Sequence, residues 1–295
     1  MNEQATIERP REAPAKQSML KSILLHVQND DSLDRRLEAA LSLARAAGAH
    51  LSCLHVTPIQ AYVAFDSFGG VFVMKDVIDA LEEQEKTLRQ RIEGKLRNED
   101  VSWDYEQVTG DTISQIVGRA ALNDLIVFGR EPHRHDLAGP AVGVMGDLLH
   151  RARTPLFIPG DAGDHFDAGG RALVAWDGSY EAANAVRSSL GLLKLASDVS
   201  IVHVTEAKEQ AFPGTKLLEY LSRHDIHADL SVQDPPGSSR DPDVVAATVS
   251  AHATGIGAAY IVMGGYAHNR IREFAFGGVT RSLLRECPIA LVIAH

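Results

Sequence analysis

Apolar residues along this chain fall into short runs separated by longer stretches with helical spacing. Ser22 to Val27, His50 to Val56, Ser102 to Val108, Leu125 to Phe128 and Leu156 to Ile158 are short and apolar or alternating, as strands are. Between them, Leu33 to Ala47 is amphipathic and closed by Gly48, and Lys75 to Leu96 carries a stripe through Val77, Leu81, Leu88 and Ile92. Asp111 suits the N-cap of a helix running to about Ala121, and Val144 to Arg151 has helical spacing. The pattern then repeats. Strands are predicted at Ala172–Trp176, Val199–Val204, Ala228–Val232, Ala259–Met263 and Ile289–Ala294. Helices are predicted at Tyr180–Leu195, Pro213–His224, Asp241 to about Ala253, and Gly278–Arg285, with a turn at Asp234–Gly237.

Each half thus reads as roughly five strands and four helices in alternation. That order implies parallel sheets with helices on both faces. The halves share a register: Gly129 and Gly264, and likewise Leu148 and Leu283, are separated by the same 135 positions. The expected architecture is α/β, with two tandem doubly wound five-stranded parallel-sheet domains. Residues 19–159 form the first domain, 160–170 a Gly- and Asp-rich linker, and 171–295 the second. Residues 1–18 are polar, contain Pro10 and Pro14, and read as a disordered tail. The segment Pro58 to Val73 is an apolar loop with aromatic residues and is expected to pack over its own sheet.

The length of 295 residues suits two domains, and the net charge of -10 argues against a nucleic-acid surface. No apolar run approaches the ~20 residues that cross a membrane. The two cysteines, Cys53 and Cys287, lie far apart in apolar settings and read as buried free thiols of a reducing, cytoplasmic compartment.

The chemistry concentrates near the C-terminal end. The apolar run to Met263 stops at Gly264-Gly265, and a second pair, Gly277-Gly278, precedes a helix with Val279, Leu283 and Leu284 on one face. Glycines before a helix N-terminus leave backbone N–H groups and a partial positive charge exposed to an anion. A tight connection without a ligand explains the same glycines. In a doubly wound sheet, ligands sit at the carboxyl ends of strands where the winding reverses. There Asp177, after the first strand of the second half, faces the Gly264–Gly278 loop. Its carboxylate suits an adenine amino group or ribose hydroxyls. Ser179 is the better-placed cap for the following helix, which leaves Asp177 for a ligand.

The stretches Val174-Ala-Trp-Asp177-Gly-Ser179, Ile201-Val-His203-Val204 and Val262 to Val279 together resemble the universal stress protein family in its tandem, two-domain form. The resemblance covers nearly all of the chain after Met19. It implies an adenine nucleotide alpha hydrolase-like fold. It also implies an adenine nucleotide, ATP or AMP, with magnesium accompanying ATP. The family's nucleotide motif runs Gly, two residues, Gly, nine residues, Gly, then Ser or Thr. Gly264 and Gly277 fill the first and third positions. Ala267 stands at the second, where a Cβ crowds the phosphates, and Gly278 stands at the hydroxyl position without a hydroxyl. Gly278 keeps its N–H, which should face the cleft, so that Ser there would add a donor. Thr280 is two residues late as a substitute.

Carried over residue by residue, the pocket uses Ala175, Asp177 and Val204 around base and ribose, with Met263 and Gly264 lining the cleft. Ala267, Gly277, Gly278 and Val279 lie along the phosphates, and His268, Arg270 and Arg281 add positive charge or belong to a solvated surface. The counterpart of Asp177 in the first half falls near Gln28, with Asp30 and Asp31 close by. Pro132, Val142 and Gly143 replace the motif there, so that half reads as a partner without a nucleotide site. His133, His135 and Asp136 read as polar loop residues in preference to a zinc site. No catalytic constellation stands out.

The resemblance therefore implies a cytoplasmic stress-response regulator that binds an adenine nucleotide and forms a homodimer, with a client protein the sequence does not name. A nucleotide-free dimeric interaction module and a weak ATPase resting on Asp177 and His268 stay open. The resemblance also implies pairing through the last strand, Ile289 to Ala294. In a tandem chain the Leu156–Ile158 strand can fill that role internally.

Overall fold

The computed structural model describes residues 19–58, 64–65, 71–72, 75–130, 140–161, 165–205, 212–238, 241–265 and 277–295. The first half contains β1 (Ser22–Val27), α1 (Leu33–Ala47), β2 (His50–Pro58), a small antiparallel pair β3 (Ala64–Phe65) and β4 (Val71–Phe72), then α2 (Lys75–Leu96), β5 (Trp103–Gly110), α3 (Thr112–Ala120), β6 (Leu125–Val127), α4 (Pro140–Ala152) and β7 (Leu156–Ile158). The second contains β8 (Ala172–Ala175), α5 (Tyr180–Ser188), α6 (Leu190–Leu193), β9 (Val199–Val204), α7 (Gly214–Ser222), β10 (Ala228–Gln233), α8 (Pro242–Gly255), β11 (Tyr260–Gly264), α9 (Gly278–Glu286) and β12 (Ala290–Ala294). The expected apolar loop holds the β3–β4 pair, and most of it lies outside the described residues. So do His133, His135 and Asp136.

Local chemistry explains the ends. Gly48 adopts φ 60 and donates its N–H to the Ala44 carbonyl, stopping α1. Asp111 caps α3 by accepting from the Ser114 N–H at 2.9 Å. Asp241 caps α8, with Pro242 at its first turn.

Ten strands form one sheet in the order β10-β9-β8-β11-β12-β7-β6-β1-β2-β5. Each half repeats the same doubly wound order, with neighbours parallel. The exception is the seam, where β12 and β7 run antiparallel with Leu291, Val292 and Ile293 opposite Ile158, Phe157 and Leu156. The last strand of each half therefore covers the other's edge inside one chain, as the duplication implied. Gly160 lies directly against the backbone of Pro288–Ala290 there, where no side chain fits. Phe166 packs edge-on against Phe157 at 4.8 Å.

Two apolar layers sandwich the sheet. Ile23, Leu25 and Val27 belong to the layer that also holds residues of α1, α2 and α5, and Leu24, Leu54 and Ile126 to the layer that holds residues of α3, α4, α8 and α9. The predicted helix Tyr180–Leu195 is in fact broken at Ser189 into α5 and α6. A Cβ on Gly191 would stand 2.8 Å from the Leu20 N, so the chain entering β1 crosses there against backbone. That contact spans the two halves, beyond the reach of local periodicity. Among the described residues, no helix is long and apolar enough to cross a membrane.

Candidate functional site

At the carboxyl end of β8 the chain turns through Trp176, Asp177 and Gly178, the last at φ 73 in the left-handed region that favours glycine. Asp177 Oδ1 accepts from the Ser179 N–H at 3.0 Å and from Ser179 Oγ at 2.6 Å. Ser179 Oγ in turn accepts from the Ala182 N–H and caps α5. The cap is therefore on Ser179, as expected, but Asp177 is not wholly free of the turn. One of its oxygens orients the loop, and Oδ2 has no hydrogen bond among the described residues. The next strand is tied in by His203, whose Nδ1 lies 3.0 Å from the Trp176 carbonyl oxygen.

Across the switch point, β11 ends at Gly264. A Cβ there would lie 2.8 Å from the Ala182 N and from the Glu181 carbonyl carbon, so the first turn of α5 approaches this strand end as only glycine permits. Gly277 is the N-cap of α9 and Gly278 its first residue. Gly277 brings no capping side chain, and among the described residues α9 has no side-chain cap hydrogen bond, unlike α5 and α8, where Ser179 and Asp241 accept from N–H groups of the first turn. Thr280 is buried in this turn, its Oγ1 3.4 Å from the Gly264 carbonyl oxygen.

These elements enclose a cleft of about 100 Å³ lined by Ala175, Trp176, Asp177, Val202, Val204, Val245, Val249, Met263, Gly264, Val279 and Thr280. Ala175, Asp177, Val204, Met263, Gly264, Val279 and Thr280 of the sequence-derived set lie on its wall. Gly277 and Gly278 stand at its edge without lining it, and Ala267, His268 and Arg270 lie outside the described residues. Sequence reasoning missed Val202, which shares a face with Val204 by strand alternation. It also missed Val245 and Val249, which share a face of α8 at helical spacing. Trp176 was quoted for the resemblance but given no part in the pocket.

The expectation for Gly278 needs correction. A Cβ built there points at the Pro242 ring, 2.6 Å from both Cβ and Cγ. The first turns of α8 and α9 are strapped together beside it: Ser282 Oγ hydrogen-bonds to Asp243 and to the Gly278 carbonyl, and Arg285 pairs with Asp243 at 3.5 Å. Glycine at 278 is required by α8, so a serine there would collide with Pro242 before it could serve an anion.

The corresponding place in the first half is filled. Strand register pairs His26 with Leu54 as Ala175 pairs with Val202, and places Phe128 where Met263 stands. The His26 and Phe128 rings stack there at 5.0 Å, tilted by 10°. His26 is buried, its Nδ1 has no partner among the described residues, and burial pulls its pKa down to about 3. The Arg36 guanidinium, almost wholly buried, donates to Asp30 Oδ1 at 3.0 Å, Ser32 Oγ at 2.6 Å and the Gln28 carbonyl at 2.9 Å. It lies against Gly129, the counterpart of Gly264. The counterpart of Asp177 also shifts. Asp30 Oδ1 accepts from the Ser32 N–H and Oγ, each at 2.8 Å, reproducing the Asp177–Ser179 turn. A loop two residues longer after β1 moves the carboxylate from the Gln28 position to Asp30.

Among the described residues, no group of three metal-ligating side chains converges. The family model for the universal stress protein family matches residues 19–158 and 170–295. A universal stress protein from Archaeoglobus fulgidus DSM 4304 superposes with a TM-score of 0.71 at 17% identity, covering 92% of this chain and 96% of that one. A functionally unknown protein from Pseudomonas aeruginosa PAO1 gives 0.54 at 17% identity, with 94% and 92% covered. A universal stress protein candidate from Pseudomonas aeruginosa UCBPP-PA14 gives 0.52 at 16%, with 94% and 93% covered. Among curated proteins, none matches the chain at the sequence level. With the doubly wound strand order in two repeats and both halves matched, the chain belongs to the universal stress protein family, in tandem form with the adenine nucleotide alpha hydrolase-like fold.

Proposed function

We propose that the chain binds one adenine nucleotide, ATP or AMP, in the cleft of its second half and acts as a cytoplasmic regulatory module of the stress response. The observation that carries this is the contrast between the two switch points. The second is an apolar cleft bounded by small Ala175, with Asp177 on its rim and the uncapped start of α9 at its edge. The first is closed by the His26–Phe128 stack and Arg36. Val204, Val249 and Met263 supply an apolar slot for a base. Asp177 Oδ2 accepts from a ribose hydroxyl, and the backbone N–H groups of Gly278 and Val279 favour a phosphate. Magnesium accompanies ATP to offset the charge of Asp177. Residues 19–159 and 171–295 are the units that carry these unequal roles, joined by 160–170, and two chains form a homodimer that presents them to a client protein.

A nucleotide-free interaction module is the second reading, favoured by the small volume of the cleft, which must widen to admit a purine. Mass spectrometry of small molecules released from the purified, denatured protein separates the two. Stoichiometric AMP or ATP supports nucleotide binding. Protein that carries no nucleotide and takes up none on incubation with AMP or ATP supports the second reading.

A further inference from the structure

We propose that β10 is the edge through which two copies of this chain associate, by antiparallel pairing about a two-fold axis at Ser231. This rests on the homodimer reading above and names its surface. Pairing through the last strand is already used up at the β12–β7 seam, so a second copy that extends the sheet meets one of its outer edges, β10 or β5.

The polar edge of β10 has a definite direction. The Thr205 N–H donates to the Gln233 carbonyl at 2.9 Å, which turns the backbone groups of Gln233 toward β9. Alternation turns those of Ser231 and Asp229 the same way and leaves those of Leu230 and Val232 pointing outward. Val232 is 60% exposed, an unguarded apolar residue on an outer strand.

With Ser231 opposite Ser231 of the second copy, Leu230 and Val232 meet Val232 and Leu230 as hydrogen-bonded pairs. Their side chains then lie together on one face. On the other face Asp229 meets Gln233, a carboxylate beside an amide. The strand is complementary to itself in backbone direction, apolarity and charge, as an isologous interface requires. The other edge is not. On β5, Asp104 and Glu106 project side by side from one face with about half of each side chain exposed, bonded within the chain to His50 and Arg119. Self-pairing centred on Glu106 sets that carboxylate against its own copy, which is destabilising, so this edge lacks the self-complementarity of β10.

The test is sedimentation of the full chain across micromolar concentrations, together with three variants. Val232→Pro removes an outward N–H and leaves the bonds to β9 in place, so it folds and weakens the dimer by about tenfold or more, the loss of a backbone pair. Ser231→Cys cross-links chains under mild oxidation because residue 231 faces itself, whereas Gln233→Cys, opposite position 229, does not. The native cysteines are buried and do not interfere. A monomer at all concentrations overturns both the homodimer and this surface. A dimer unaffected by Val232→Pro, or equal cross-linking at 231 and 233, overturns the surface and leaves the homodimer standing.

Discussion

The guanidinium of Arg36 lies against the Cα of Gly129, occupying the space into which any side chain at 129 would project. The pair closes the first half's switch point from inside, with Asp30 neutralising the charge at 2.9 Å. Gly129→Ala is predicted to displace the guanidinium and destabilise the protein by about 2–4 kcal/mol, the range for overpacking combined with a broken buried pair. Arg36→Ala also destabilises, but it empties the space. Gly129→Ala then adds little in the Arg36→Ala background. Urea melts of the four-protein cycle check this, and additive losses would contradict the contact.

A second prediction concerns pH. His26 is held neutral: its pKa falls from 6.5 to about 3, chiefly through burial and also through the nearby Arg36 and His55, with Asp30 acting against them. The unfolded chain binds this proton below pH 6.5 and the folded chain does not. The stability His26 contributes is therefore complete above pH 6.5 and is lost as pH falls toward 3, by about 1.4 kcal/mol per pH unit. Denaturant titrations of the wild type and His26→Leu between pH 7 and 4 should diverge by that slope. Parallel pH dependences would show that His26 is not buried neutral.

Position 278 distinguishes packing from ligand chemistry. Because its Cβ direction is blocked by Pro242, Gly278→Ser is predicted to lower stability by about 1–3 kcal/mol and to weaken nucleotide binding through displacement of α9. Thermal melting with a parallel AMP titration decides the matter. A variant as stable as the wild type that binds more tightly would restore the motif-based expectation.

The fold was largely legible in the sequence, because buried parallel strands such as Ile23–Val27 and Ile261–Met263 are apolar throughout and their helices carry cap residues such as Asp111 and Gly48. The pairing of β7 with β12 followed from the family resemblance, which implies pairing through the last strand, together with the duplication that supplies both strands in one chain. Much of the candidate cleft was legible through the Asp177 turn and the Met263-Gly264 strand end. What was not legible depends on contacts between distant segments: Pro242 against Gly278, Leu20 against Gly191, Arg36 against Gly129. Motif spacing assigns a glycine to a phosphate or a turn. Only the tertiary contact shows that Gly278 makes room for a helix, or that Asp30 and not Gln28 mirrors Asp177 across a lengthened loop.

Binding of one nucleotide per chain, in the second half, is tested by calorimetric titration of the wild type and Ala175→Phe with AMP, and with ATP plus magnesium. Phenylalanine at 175 places in the second cleft the kind of ring that His26 places in the first, so one site per chain is expected in the wild type and none in the variant. Two sites per chain, undiminished binding by a folded Ala175→Phe, or no binding by the wild type would contradict it.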